Sequence, residues 1–177
     1  MLLEERLEKQ RLDEELNLAK AIQKGLLPEP LPELPGFELA AINVSSRQVG
    51  GDYFDFITTP DQGHILAIAD VTGKGVPASL LMANLQSMLH ALAPIDISLS
   101  EATASINDII HKNTPADKFI TFFWGKMSSD GKRFKYVNAG HNPPILFRKD
   151  SDEPILLEEG GEQYKRLFND SILLIQL

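Results

Sequence analysis

The chain has no cysteine among its 177 residues. Disulfides, thiolate metal sites and zinc-finger arrangements are therefore excluded. It also lacks an excess of positive charge: 17 Lys and Arg stand against 25 Asp and Glu, a net charge of −8. A general binder of nucleic acid or of an acidic membrane surface carries the opposite sign. No apolar run approaches the roughly 20 residues that cross a bilayer, so direct membrane insertion is not expected. The N-terminus, with Glu4, Glu5 and Arg6, is not a signal peptide. A cytoplasmic protein is expected, or a soluble piece of a larger membrane-anchored one. What remains is an ordinary globular composition, 43% hydrophobic and 24% charged, enough for one domain with a core and an appendage.

The appendage is residues 1–27, dense in Leu, Glu, Lys, Gln and Ala and free of proline, which reads as one helix. Leu12, Leu16, Ala19, Gln23 and Leu26 follow 4-3-4-3 spacing, and Ile22 widens the stripe. Two heptads are fewer than a firm coiled-coil assignment needs. The helix either lies on its own domain or serves as a linker and homodimerisation element. Residues 28–36, with prolines at 28, 30, 32 and 35, form a stiff extended connector.

Residues 37–177 read as the globular domain. A first strand is expected from Phe37 to Ser45, and a hairpin from Tyr53–Thr58 and His64–Ala69 around the turn residues Thr59 to Gly63. Pro77 opens a helix to about Leu92 that is apolar on nearly all sides and reads as well buried. Ser98-Leu99-Ser100-Glu101 is a capping box for a second helix, ending near Asn113, with Ala102, Ile106, Ile109 and Ile110 on one face. Strands follow at Phe119–Met127 and Arg133–Val137, joined through Asp130-Gly131. Shorter strands are expected at Ile145–Phe147, Pro154–Leu157 and Ser171–Leu177. Hairpins with two consecutive helices between them indicate an α+β fold with antiparallel sheet.

The hairpin carries the chemistry. If it is symmetric about Asp61, Asp52 faces Asp70. Opposed Cβ atoms lie roughly 4.5–5.5 Å apart, and like charges there repel. Such carboxylates share a proton, splay into solvent, or hold a cation; the cation is favoured. A hard ion, Mg²⁺ or Mn²⁺, suits carboxylate and water ligands, and phosphoester hydrolysis is its natural chemistry. Gly50 and Gly51 allow close backbone approach beside Asp52. Gly73 and Gly75 form a turn whose amides, with Lys74, can face an anion. Asp55 alternates to the other face and reads as structural or solvated. His64, His90 and His111 are isolated. His141, with Asn142 in a Gly-His-Asn-Pro-Pro loop, is the better-placed histidine, and both are candidate phosphate or substrate contacts. Trp124 and its Phe neighbours read as core.

Three segments occur in order: Gly50-Gly51-Asp52-Tyr53-Phe54-Asp55, Ile68-Ala69-Asp70-Val71-Thr72-Gly73-Lys74-Gly75-Val76-Pro77-Ala78, and Tyr136-Val137-Asn138-Ala139-Gly140-His141-Asn142-Pro143-Pro144. Together they resemble the bacterial PPM-type (protein phosphatase 2C-like) serine/threonine phosphatases of the sporulation stage II and sigma-factor-regulator branch. Ala21 to Pro28 resembles the helix joining sensor modules to that domain, and the likeness runs from about residue 19 to about 148. It implies two antiparallel sheets between helices, and a Mn²⁺- or Mg²⁺-dependent hydrolase acting on phosphoserine or phosphothreonine. Asp52 and Asp70 match the first two metal aspartates, and the Val71 carbonyl matches a backbone metal contact. The implied substrate is a phosphorylated anti-sigma-factor antagonist, under an upstream sensor or receiver domain. The family draws further metal aspartates from an Asp-Gly motif and a later acidic loop that this chain lacks, its last residues resembling the strand before that Asp-Gly. A C-terminally incomplete sandwich is therefore expected. The alternative is a catalytically incomplete, phosphatase-like module acting in dimerisation or partner binding. Gly50-Gly51-Asp52-Tyr53-Phe54 also copies a diguanylate cyclase signature, but the other two segments do not belong to such an enzyme.

Overall fold

Residues 53–58 are rich in aromatic and β-branched side chains, and residues 64–71 are apolar with few breaks, the content of paired strands. In the computed structural model, which describes residues 2–34, 37–44, 48–148, 151–158, 161–166 and 172–174, these become β1 (Tyr53–Thr58) and β2 (His64–Val71). A helix, α1 (Leu2–Lys24), precedes them; α2 (Val76–Leu92) and α3 (Leu99–Asn113) follow. Then come β3 (Ile120–Met127), β4 (Arg133–Ala139), β5 (Ile145–Arg148), β6 (Ser151–Leu156), β7 (Gly161–Arg166) and β8 (Ile172–Leu174). One sheet has the order β1-β2-β3-β4-β7, the other β6-β5-β8, and every pairing within them is antiparallel.

Period-two alternation makes two cores from the larger sheet. On one face Tyr53, Ala69, Val71, Phe122, Trp124 and Val137 pack with Ala78, Met82, Leu85 and Leu89 of α2 and with Leu99, Ala102 and Ile106 of α3. On the other face Ile68, Phe123, Phe134 and Tyr136 meet Leu146, Leu157 and Leu34. Phe123, Phe134 and Tyr136 have ring centroids 5.3–6.3 Å apart. Among the described residues the helices cover one sheet and not the other, so the α+β sandwich is flanked on one side.

Several expectations are corrected. Residues 37–44 form no strand beyond an isolated Leu34–Phe37 bridge, and Ser45 lies outside the described residues. Strand propensity reports the fit to a half-buried pleat, and Ile42 and Val44 are 80% and 76% exposed. α1 ends at Lys24 rather than near residue 27, in a turn where the amide of Gly25 donates to Ala21 and that of Leu26 to Gln23. α2 buries one face only: Leu80 is 66% exposed. On α3, Ile109 is exposed while Ile110 packs inward. β7 was not expected, because Glu162, Gln163, Lys165 and Arg166 disguise an edge strand as a loop. The strand expected at Pro154–Leu157 falls on β6, which pairs with β5, Ile145 lying opposite Leu156. Of the segment 171–177, β8 lies within the described residues and the rest outside them.

Candidate functional site

The β1–β2 register pairs Thr58 with His64 and Tyr53 with Ala69. Continued by one residue, it sets Asp52 opposite Asp70, where the sequence places them. Their side chains lie on the face turned from α2, because Tyr53, Ala69 and Val71, their chain neighbours, fill the helix-side core. Asp70 is exposed and Asp52 half-buried. Burial first, and the Asp70 carboxylate within hydrogen-bonding reach second, push the Asp52 carboxyl above the usual carboxylate range. Two acids so placed are destabilising without a counter-charge.

The local chain is built to hold this geometry. A Cβ on Gly51 would lie 2.8 Å from both the Cβ and the carbonyl oxygen of Val71 and 3.3 Å from the Cβ of Ala78. Glycine is thus required where the strand leading to Asp52 crosses Val71 and α2. Asn43 Nδ2 donates to the Asp52 carbonyl at 3.2 Å. Gly50 is held from α1: Gln23 Nε2 donates to its carbonyl at 2.7 Å, and its amide donates to Gln23 Oε1 at 3.1 Å. The same Gln23 amide reaches Met82 Sδ of α2 at 3.6 Å.

Behind Asp52, on the helix side, Asp55 is 4% exposed. It accepts from Tyr53 Oη at 2.6 Å and the Phe56 amide at 2.8 Å, and its Oδ2 lies 2.7 Å from His90 Nε2. Burial and Asp55 push the Tyr53 phenol far up, so it stays a donor. Asp55 is thus structural, as expected, and His90 is its partner on α2.

Gly73 and Gly75 adopt φ of 96° and 75°, the left-handed region open to glycine, and Gly75 is the residue before α2. Lys74 is exposed on this turn. His141 is 6% exposed, with Nδ1 3.0 Å from Thr121 Oγ1. Its amide donates to Asn138 Oδ1 at 2.9 Å, and Asn138 Nδ2 donates to the carbonyls of His141 and Leu157. Thr121 is the register partner of Asp70 and reaches its carbonyl at 3.5 Å. The His141 loop therefore sits under the acidic pair, connected through Thr121, while Asn142 is exposed. His64, the first residue of β2, has Nδ1 3.4 Å from Thr58 Oγ1. The sequence pattern assigns Gln23 and Thr121 no part beside the acidic pair, where Gln23 holds Gly50 and Thr121 meets His141; a polar Gln in a Leu/Ala stripe is the one signal for either.

Among the described residues no three His, Cys, Asp or Glu side chains gather at one point. Two opposed carboxylates are a donor set that would suit one hard divalent cation, with water completing its shell.

The sequence pattern of stage II sporulation protein E (SpoIIE) matches residues 60–162. The chain belongs to the SpoIIE family. It is 32% identical to the phosphoserine phosphatase RsbU of Bacillus subtilis over 152 residues, 86% of this chain and 45% of that protein. Among solved structures, the RsbU and RsbW domains of Rv1364c from Mycobacterium tuberculosis superpose with a TM-score of 0.63 at 26% identity, over 73% of this chain and 39% of that one. The PP2C phosphatase domain of SpoIIE from Bacillus subtilis superposes with a TM-score of 0.62 at 18% identity, over 72% and 40%, a likeness of fold. This chain thus spans less than half the length of these relatives, and the expected α+β phosphatase fold is the observed one.

Proposed function

We propose that this SpoIIE-family chain hydrolyses phosphoserine or phosphothreonine on a regulatory protein of the anti-sigma-factor-antagonist type. The observation that carries the reading is the opposition of Asp52 and Asp70 beside a glycine pressed on Val71. Asp52, Asp70 and the Val71 carbonyl hold Mn²⁺ or Mg²⁺. Bound there, the ion supplies Lewis acidity toward a phosphoryl oxygen and an acidified water. The chain's own part is positional. Thr121 and the buried His141 hold the Asp70 strand end, and Gln23 and Gly51 hold Asp52. Gly73, Lys74 and Gly75, with Asn142, face the phosphorylated segment, and the lysine offsets its charge. Residues 28–36 connect the domain to residues 1–27, a linker and homodimer helix that carries the state of an upstream sensor or receiver domain to Gly50 through Gln23. The reaction belongs to the cytoplasm; no described helix is long and apolar enough to cross a membrane.

The test is Mn²⁺-dependent hydrolysis of a phosphoserine protein and of an aryl phosphate, with Asp52→Asn beside the parent. Loss of about 10² or more in kcat is expected, the scale of removing one preorganised electrostatic group. Equal background rates in both would remove catalysis by this chain. They would leave the alternative, a phosphatase-like module acting in dimerisation or partner binding.

A further inference from the structure

The β2–β3 ladder runs one step past the strands, with a side chain replacing a backbone group. The Thr72 amide donates to the Phe119 carbonyl at 3.0 Å, and the Phe119 amide donates to Thr72 Oγ1 at 3.0 Å. Thr72 Oγ1 also reaches the Phe119 carbonyl at 3.2 Å. Both backbone groups of Phe119 are thereby fixed. Val71 and Ile120 are register partners turned into the helix-side core. Alternation then puts Thr72 and Phe119 on the opposite face, that of Asp70 and Thr121. Phe119 stands roughly 7 Å along the strand from Thr121, and it is 59% exposed.

Single exposed apolar residues are ordinary. This one is rigidly mounted, on the face of the acidic pair, and has a cation beside it. The Lys118 amide closes a turn onto the Pro115 carbonyl at 2.9 Å. Lys118 Nζ lies 3.8 Å from where a Cβ on Gly73 would stand, over the Gly73–Gly75 turn. Its partner, Asp117 Oδ2 at 3.2 Å, is 73% exposed. An ion pair so open to water is weak, and an incoming acid can replace it. The chain is net acidic at −8, and a phosphorylated segment must approach past Asp70. Fixed positive charge at the rim is what such an approach requires.

We propose that Lys118 and Phe119 read the residues flanking the phosphoserine: Lys118 pairs with an acidic side chain and Phe119 covers an apolar one. This names a sequence preference for the substrate and rests on the phosphatase reading above.

The test uses the full chain with excess Mn²⁺ and fluorescein-labelled nonapeptides carrying a phosphonate in place of phosphoserine. One peptide has Asp and Leu beside the phosphonate, one Asn and Ala, one Lys and Leu. Anisotropy should show the Asp-Leu peptide bound about tenfold more tightly than the Asn-Ala peptide, the combined scale of a rim ion pair and a partly covered leucine. Lys118→Glu should reverse the order in favour of the Lys-Leu peptide. Phe119→Ser should remove the part due to leucine. Melting curves check that both variants fold. Equal affinities, absence of binding, or an unchanged order in Lys118→Glu would overturn the rim. Turnover of the corresponding phosphoserine peptides runs in parallel. Hydrolysis without the preference removes the rim and keeps the phosphatase reading; preference without hydrolysis does the reverse.

Discussion

At Asp52 the physical conflict is local, between a half-buried carboxyl and the carboxylate opposite it. The folded chain raises this carboxyl's pKa through burial and through Asp70. A raised acid is deprotonated at a cost in the folded state, so its contribution to stability is present at low pH and lost as pH rises through the raised value. In metal-free buffer at pH 7, Asp52→Asn is therefore expected to be more stable than the parent by about 0.2–1 kcal/mol, the scale of a like-charged cross-strand pair. Urea melts should show the gap closing as pH falls toward the ordinary carboxylate pKa. Gly51→Ala should act in the opposite direction. Its Cβ overlaps Val71 at 2.8 Å, and overpacking of this kind costs about 1–3 kcal/mol, measurable in the same melts. The aspartate pairing was legible because a symmetric turn fixes register by arithmetic. The role of His141 was less so, since a sequence does not show that its ring turns inward to Thr121 rather than out with Asn142.

Among the elements, those with local signals were readable. The Ser98–Glu101 capping box forms as expected, with Glu101 N donating to Ser98 Oγ at 3.1 Å and Ser98 N donating to Glu101 Oε2 at 3.0 Å. Ser98→Ala should cost about 1 kcal/mol, seen as a lower urea midpoint at unchanged slope. Residues 37–44 show what was not readable. Phe37, Leu39, Ile42 and Val44 suit a strand, yet pairing depends on a partner edge that no local pattern specifies. β7 is the converse: a polar stretch made into a strand by the free edge of β4. The α1 stripe also concealed a division of labour. Leu12 and Ile22 are exposed, whereas Gln23 holds Gly50 at 2.7 and 3.1 Å. Gln23→Ala is expected to raise hydrogen exchange at Gly50 and Gly51 while leaving α2 protected.

For the whole molecule, one sheet supplies the acidic pair from a strand end, helices behind it hold that end in place, and a second sheet covers the other face. α1 extends from this body with none of its residues buried, and the proposed homodimer would cover its exposed leucines. Light scattering should give a dimer mass for the full chain and a monomer mass after removal of residues 1–27. The composition, net charge and three ordered segments showed the class of the fold and its family. They did not show that Thr72 mounts Phe119 on the site's face, because that depends on a side-chain bond between residues 47 apart in sequence.

The proposed function rests on Asp52 and Asp70 together holding a divalent cation. Thermal unfolding of the parent and of Asp52→Asn across a Mn²⁺ titration tests it most directly. At a hundredfold excess over Kd, binding to the folded state contributes about 2.7 kcal/mol, which corresponds to about 5–10 °C for a chain of this size. That saturable rise is predicted for the parent and its absence for the variant. A rise of equal size and midpoint in both would contradict it.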